Sequence, residues 1–277
     1  MNNTKIEWCN STWNPVTGCK HGCEYCYARR IANRFGGWEY TPGMIAANTA
    51  EDKTYIHPMK KYYGEAKETE FGKIAEIKEP FLKKDSSKAP YPFGFTPTFH
   101  RYRLDVPKKW SEPRTIFVCS MADLFGEWVP DEWIEQVFAA CEKAPQHTYL
   151  FLTKNPNRYL ELTNKGKLPQ IDNMWYGSSV TGENIQHFVS SGRYNTFLSI
   201  EPLLFSINMR NGSFQGTKWI IVGAETGTRR DKVVPQKEWV SNIVEYCDNN
   251  NIPVFMKDSL IPIISEESMR REFPWSK

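Results

Sequence analysis

Eight short runs of β-branched and aromatic residues recur along the chain, and between several of them lie stretches with apolar positions one helical turn apart. The runs are Trp13 to Thr17, Pro97 to His100, Thr115 to Ser120, Thr148 to Thr153, Met174 to Val180, Thr196 to Ile200, Trp219 to Gly223 and Pro253 to Lys257, and each predicts a strand. Helical patterns cover Tyr27 to Phe35, Asp131 to Lys143 after the lead-in Pro130, Pro156 to Thr163, Glu183 to Ser191, and Lys237 to Asn249, which stops in asparagines. TYLFLT and WIIVGA show no polar alternation, the pattern of strands buried on both faces in a parallel sheet. Strand followed by helix, repeated, predicts an α/β fold. About eight such strands in about 250 residues predict a TIM-like (β/α) barrel, complete or partly open, as a single domain over 1–277.

The region from Gly36 to Phe95 breaks this alternation. It is rich in Lys, Tyr, Gly and Pro, as in GGWEYTPG, HPMKKYYGEAKE and KAPYPFGFTP. About sixty residues are too many for a bare connection in a compact domain. An insertion or a lid over the open rim is expected, with Thr69 to Lys83 the best stretch for a helix of its own; a surface elaboration that only packs on the barrel is the plainer alternative.

Composition narrows the setting. With 40% hydrophobic residues over 277 positions the chain can bury a sizeable core. No apolar run approaches the roughly 18 residues a membrane span needs, so no membrane association is expected. Seven cysteines, an odd number thinly spread behind an N-terminus without a signal-peptide pattern, point to a reduced, cytoplasmic protein rather than a disulfide scaffold. Net charge is only +3, and nucleic-acid binding does not follow from that balance. Residues 52–109, however, hold thirteen Lys or Arg against eight Asp or Glu.

Three of the cysteines, Cys19, Cys23 and Cys26, fall in CKHGCEYC, with Tyr25 directly before the last. Thiolates select soft metals, and three of them on one short loop can hold three corners of an iron–sulfur cluster while leaving one iron open. Gly18 and Gly22 allow the backbone to wrap tightly. The helical pattern beginning at Tyr27 places a helix N-terminus, with its dipole and free amides, beside an anionic group. Two other readings stay open at this point: a Cys3His zinc knuckle using His21, and a disulfide. Cys9, Cys119, Cys141 and Cys247 show no spacing for a second cluster, and Cys119 and Cys141 read as buried structural thiols.

The C-x3-C-x2-C spacing with an aromatic before the third cysteine resembles the radical S-adenosylmethionine (SAM) superfamily. That resemblance implies a 4Fe–4S cluster on Cys19, Cys23 and Cys26 and SAM on the open iron. It also implies a reductant such as flavodoxin or ferredoxin, and a 5′-deoxyadenosyl radical that takes hydrogen from a substrate. KIEWCNSTWNPVTGC, PTFHRYRL, IFVCSMADLF, VPDEW, QHTYLFLTKNP, FLSIEPLL and WIIVGAETG, in that order, resemble more closely a phage-associated family of radical-SAM-like proteins whose reaction is unassigned. Two departures are plain. GAETG stands where that family commonly has Gly-Gly-Glu-Ser-Gly, and KDSL from Lys257 stands where it usually has Lys-Gln-Trp-Gly, so no role carries over to Asp258 or Ser259.

In a parallel barrel the site forms where strands give way to loops. The polar residues there are His100, Ser120, Asp123, Thr153, Lys154, Ser178, Ser179, Thr181, Glu201, Glu225, Thr226, Lys257 and Asp258, with Cys19 after the first strand. Of these Ser120, Asp123, Thr153, Ser178, Glu201 and Glu225, together with Tyr25, are the candidates for cofactor binding. The superfamily's Gly-Gly-Glu block, which grips the SAM amino group, has no counterpart near His100, and Ser120 or Asp123 is expected in its place. Lysines interleaved with aromatics (Lys53, Lys60, Lys61, Tyr62, Tyr63, Lys83, Lys84, Tyr91) suit stacked or flipped bases. A nucleotide or nucleic-acid component is thus the expected substrate, with a peptide, a small metabolite, or a non-enzymatic zinc-stabilised binding role as alternatives.

Overall fold

A computed structural model describes residues 4–36, 66–80, 87–181, 186–208 and 214–275. Its strands are β1 (Ser11–Trp13), β2 (Val16–Thr17), β3 (Ala66–Lys67), β4 (Ile74–Ile77), β5 (Thr98–His100), β6 (Thr115–Val118), β7 (Thr148–Thr153), β8 (Met174–Ser179), β9 (Asn195–Ile200), β10 (Ile220–Val222) and β11 (Val254–Met256). The helices are α1 (Tyr27–Phe35), α2 (Asp131–Glu142), α3 (Asn157–Asn164), α4 (Lys237–Asn249) and the single turn α5 (Ile261–Ile264). Seven strands form one sheet in the order β1-β6-β7-β8-β9-β10-β11, and four form a second in the order β2-β5-β4-β3. The larger sheet is open in this order, β1 and β11 being its ends, and is compatible with a partly open barrel. The protein is α/β, as the alternating pattern predicts.

The chain divides into two compact units. One comprises Met1–Ser11, Arg114–Phe117 and Thr148–Lys277. Its strands β7 to β11 run parallel, each pairing with the next, so their C-terminal ends share one edge. Both faces are buried, and the alternation is visible strand by strand. Leu198 and Ile200, Ile220 and Val222, and Val254 and Met256 pack in one core with Val240, Ile243 and Cys247 of α4. The residues between them, Phe197, Ile221 and Phe255, join Trp8, Phe117, Leu150, Trp175 and Trp219 in an aromatic core on the opposite face. A strand flanked by two cores favours apolar residues on both faces, which is why TYLFLT and WIIVGA lack polar alternation; Ser178, Thr196 and Ser199 are buried polar exceptions in β8 and β9.

The other unit comprises Thr12–Pro113 and Val118–His147. In it β5 pairs antiparallel with β2 and parallel with β4, and β4 pairs antiparallel with β3. Phe99 of β5 stacks on Trp133 of α2 with ring centroids 5.2 Å apart, and Ile134, Val137 and Phe138 complete the buried face of that helix.

Four expectations change. The run Trp13 to Thr17 is two strands that join different sheets, with Asn14 and the N–H-less Pro15 between them. Pro97 to His100 supplies β5 to the four-stranded sheet instead of a second barrel strand. Thr69 to Lys83 is not a helix where it is described: it contains β4, whose Ile74, Ala75 and Ile77 are buried, so strand pairing with β3 and β5 overrides a weak helical pattern. Residues 186–191 of the expected helix Glu183 to Ser191 are irregular, with the Phe188 N–H donating to Ser178 Oγ at 3.0 Å. Lys53, Lys60, Lys61, Tyr62, Tyr63, Lys83 and Lys84 lie outside the described residues, as does most of the expected lid.

Candidate metal centre

The cysteine loop begins at a backbone crossing that only glycine permits. Gly18 has φ +86°, and a Cβ there would sit 2.3 Å from the Thr96 carbonyl oxygen and 2.6 Å from that of Phe95. Its N–H donates to the Met121 carbonyl at 2.9 Å, and the Cys19 N–H to the Phe95 carbonyl at 3.3 Å. Close backbone contact on both sides thus sets where the loop starts. It ends on α1, where Cys26 takes the capping position and its Sγ accepts the Arg29 N–H at 3.3 Å. A sulfur at that place faces the positive end of the helix. The helix is anchored by buried Ala28 and Ala32 and by Tyr27, whose hydroxyl donates to the Ser120 carbonyl at 2.6 Å.

Cys19, Cys23 and Cys26 are all free and half-buried. Burial pushes the Cys19 thiol up to about 12, and the Asp123 carboxylate and the other two cysteines push in the same direction. A positive charge beside Cys19, which a soft metal would supply, would favour its thiolate. The donor set fits such a centre in its chemistry: three soft ligands on one loop, one already seated at a helix N-terminus. Among the described residues, no group of three or more His, Cys, Asp or Glu side chains is gathered closely enough to hold a metal ion.

Asp123 is buried and uses both oxygens locally: Oδ2 lies 2.7 Å from His21 Nε2, and Oδ1 accepts the Phe125 N–H at 3.0 Å. Ser120 Oγ donates to Asn14 Oδ1 at 3.2 Å, an oxygen that also accepts the Met121 N–H at 2.9 Å. Tyr25 is half-buried between Cys23 and Cys26. Cys19, Cys23, Cys26, Tyr25, Ser120 and Asp123 thus belong to one unit, in which Asp123 meets the cysteine loop through His21 and Ser120 meets α1 through Tyr27.

Thr153, Ser178, Glu201 and Glu225 belong to the other unit, at the C-terminal edge of its parallel strands. Thr153 Oγ1 accepts the Asn155 N–H at 2.9 Å, turning the chain into the loop before α3. Ser178 holds Phe188 as described above. Glu201 is ion-paired with Lys257 across Gly223, and Lys154 Nζ donates to Thr181 Oγ1 at 3.2 Å. Glu225 is buried and bidentate with Arg229, at 2.7 and 2.8 Å, and that guanidinium holds its carboxyl below the usual range. Ser259 Oγ accepts the Ala224 N–H at 2.9 Å.

His100 is fully buried between Thr17 Oγ1, 2.8 Å from its Nε2, and the Tyr102 hydroxyl, 3.3 Å from its Nδ1. Burial holds its pKa well below 6.5, and nearby Arg103 adds to this. Cys119 and Cys141 are buried free thiols as expected. Four contributors are invisible in linear motifs. Asn14 bridges to the Ser120 turn, Tyr27 ties α1 to it, Trp128 lies edge-on to His21, and Arg103 donates to the Asn14 and Pro90 carbonyls at 2.9 and 3.0 Å. Asn14 and Arg103 lie within the distinctive blocks KIEWCNSTWNPVTGC and PTFHRYRL and Tyr27 directly follows Cys26, whereas Trp128 carries no such signal.

No helix among the described residues is long and apolar enough to cross a membrane. No curated protein and no solved structure matches the chain. A family described as protein of unknown function (DUF5131) matches residues 3–68 and 73–260, which is most of the chain, and the protein belongs to that family.

Proposed function

We propose that the protein is a radical SAM enzyme on a partly open (β/α) barrel, with Cys19, Cys23 and Cys26 as the ligands of a 4Fe–4S cluster. The observation that carries this reading is the loop itself: three free thiols within eight residues, the last capping α1 with its sulfur on the Arg29 amide. When bound, such a cluster supplies the electron that cleaves SAM into methionine and a 5′-deoxyadenosyl radical. The chain's own residues would position and shield. Gly18 and Tyr27 fix the two ends of the loop, and the Cys26 amide contact steadies one ligand. Thr153 and Ser178 are already engaged by backbone amides and serve the shape of the strand edge. Glu201 and Glu225 could take a cationic amino group only by exchanging it for Lys257 or Arg229.

Anaerobic reconstitution tests the reading. The expected result is a brown protein with absorption near about 400 nm, about four irons per chain, and deoxyadenosine formation under strong reduction. Cys23→Ala should lose all three. A reconstituted chain that holds iron yet cannot cleave SAM refutes the enzyme reading.

One observation favours a second reading. His21 presents Nε2 to Asp123, the arrangement in which a histidine offers its other nitrogen to zinc, so a Cys3His site is also chemically consistent. A colourless preparation with about one zinc per chain would select it. For the substrate we assign a nucleotide or nucleic-acid component, supported by the lysines and tyrosines of residues 53–91. Mobility shifts that show no binding to DNA or RNA at low salt, or that ignore charge reversal at Lys60 and Lys61, would refute that assignment.

A further inference from the structure

We infer that Asp123 is a positioning residue of the cysteine loop, acting through His21. His21 is the second residue of the three between Cys19 and Cys23, so what holds its ring holds the chain between those two thiols. The ring is held on two sides. Nε2 lies 2.7 Å from Asp123 Oδ2, and the Trp128 indole meets the ring edge-on, with centroids 4.9 Å apart and planes at 76°. Asp123 is itself anchored, because Oδ1 accepts the Phe125 N–H and the side chain is buried. The carboxylate cannot swing toward another partner without breaking that bond. The indole is seated by shape: a Cβ on Gly126 would fall 2.3 Å from its ring, and its Nε1 is buried with no hydrogen-bond partner among the described residues.

A carboxylate offers only acceptors, so the ring nitrogen facing it carries the proton, and the tautomer of His21 is set by Asp123. Charge-assisted bonds of this kind are the stronger ones, and this one is mostly shielded from water. The inference rests on the radical SAM reading for its bearing on a cluster. The hold on the loop is the same whichever metal the thiols take.

The test uses the full-length apo chain, labelled with 15N-histidine and pulsed with iodoacetamide, alkylation being read peptide by peptide. Wild type should show His21 protonated on Nε2. Asp123→Ala should speed alkylation of Cys19 and Cys23 by at least about tenfold, because opening the loop no longer breaks a charge-assisted bond. Asp123→Asn should keep alkylation slow but reverse the tautomer, since its carboxamide can keep its oxygen on the Phe125 N–H and donate N–H to Nε2. Cys119 and Cys141, buried in the same unit, report unfolding: if they too become reactive in Asp123→Ala, the Asp123→Asn tautomer decides. Rates within about twofold of wild type in a folded Asp123→Ala, or an unchanged tautomer in Asp123→Asn, overturn the inference. Iron uptake by wild type is measured alongside. No iron, with the loop changes present, sinks the cluster reading and leaves the inference standing; iron without the loop changes does the reverse.

Discussion

Replacing Gly18 by alanine should damage the protein far more than the same change at Gly22, although both glycines sit in one loop at similar positive φ, +86° and +74°. A side chain in this backbone region costs about 1–2 kcal/mol at either position. At Gly22 nothing lies within 4 Å of the added Cβ, so that strain is the whole cost. At Gly18 the Cβ meets the Thr96 carbonyl oxygen at 2.3 Å and carbon at 2.5 Å. These are main-chain atoms that cannot rotate aside, and forcing them apart strains the Gly18–Met121 and Cys19–Phe95 hydrogen bonds. Overpacking of this kind adds about 1–3 kcal/mol, for a total of about 2–5 kcal/mol. Thermal unfolding at about 2–4 °C per kcal/mol should therefore drop by about 4–20 °C for Gly18→Ala and by about 2–8 °C for Gly22→Ala. The ordering is the test, and it should recur in the alkylation rate of Cys19, whose amide is bonded at this crossing. Equal melting temperatures for the two variants would show that the Gly18 crossing with Thr96 does not set the loop entrance.

Three further outcomes follow from burial. The folded-state pKa of His100 lies below 6.5, so below that pH the unfolded chain takes up a proton that the folded chain refuses. Stability should fall as pH drops from about 7 to 5, and His100→Gln should flatten that part of a urea-midpoint profile; an unchanged slope refutes it. Cys119, pushed up to about 12 by complete burial, should remain unmodified by iodoacetamide at about pH 8 while Cys23 reacts, as read by peptide mass spectrometry. Trp219 is fully buried against Trp8, Phe197 and Phe273, with its Nε1 on the Glu272 carbonyl at 2.9 Å, so Trp219→Ala should cost about 3–5 kcal/mol in urea unfolding. A loss below about 1 kcal/mol would mean that the aromatic core is not a main support of its unit.

How far the chain could be read in advance differs between its two units, for a physical reason. In β7 to β11 the pattern is dictated by burial on two faces. Most positions are apolar, TYLFLT has the boundaries of β7, and α4 matches its predicted span from Lys237 to Asn249. The four-stranded sheet was not legible, because its strands are two to four residues long and their partners lie up to 83 positions away. Thr17 and His100 meet there through pairing that no local period encodes. The ligand loop shows both limits at once. Its three thiols, two glycines and following helix can be read from spacing alone, since each constraint is local. What holds the loop, namely Asp123 on His21, the Ser120 carbonyl on Tyr27 and the Phe95 carbonyl on the Cys19 amide, comes from segments about 70 to 100 residues downstream. Sequence position makes Asp123 and Ser120 candidates for cofactor contact, and polarity alone does not distinguish that from a bond to a neighbouring loop. Their hydrogen bonds show the loop-holding role. A carboxylate with one oxygen on a ring nitrogen and the other on a backbone amide fixes the loop residue it meets, and through that residue it bears on whatever the loop binds.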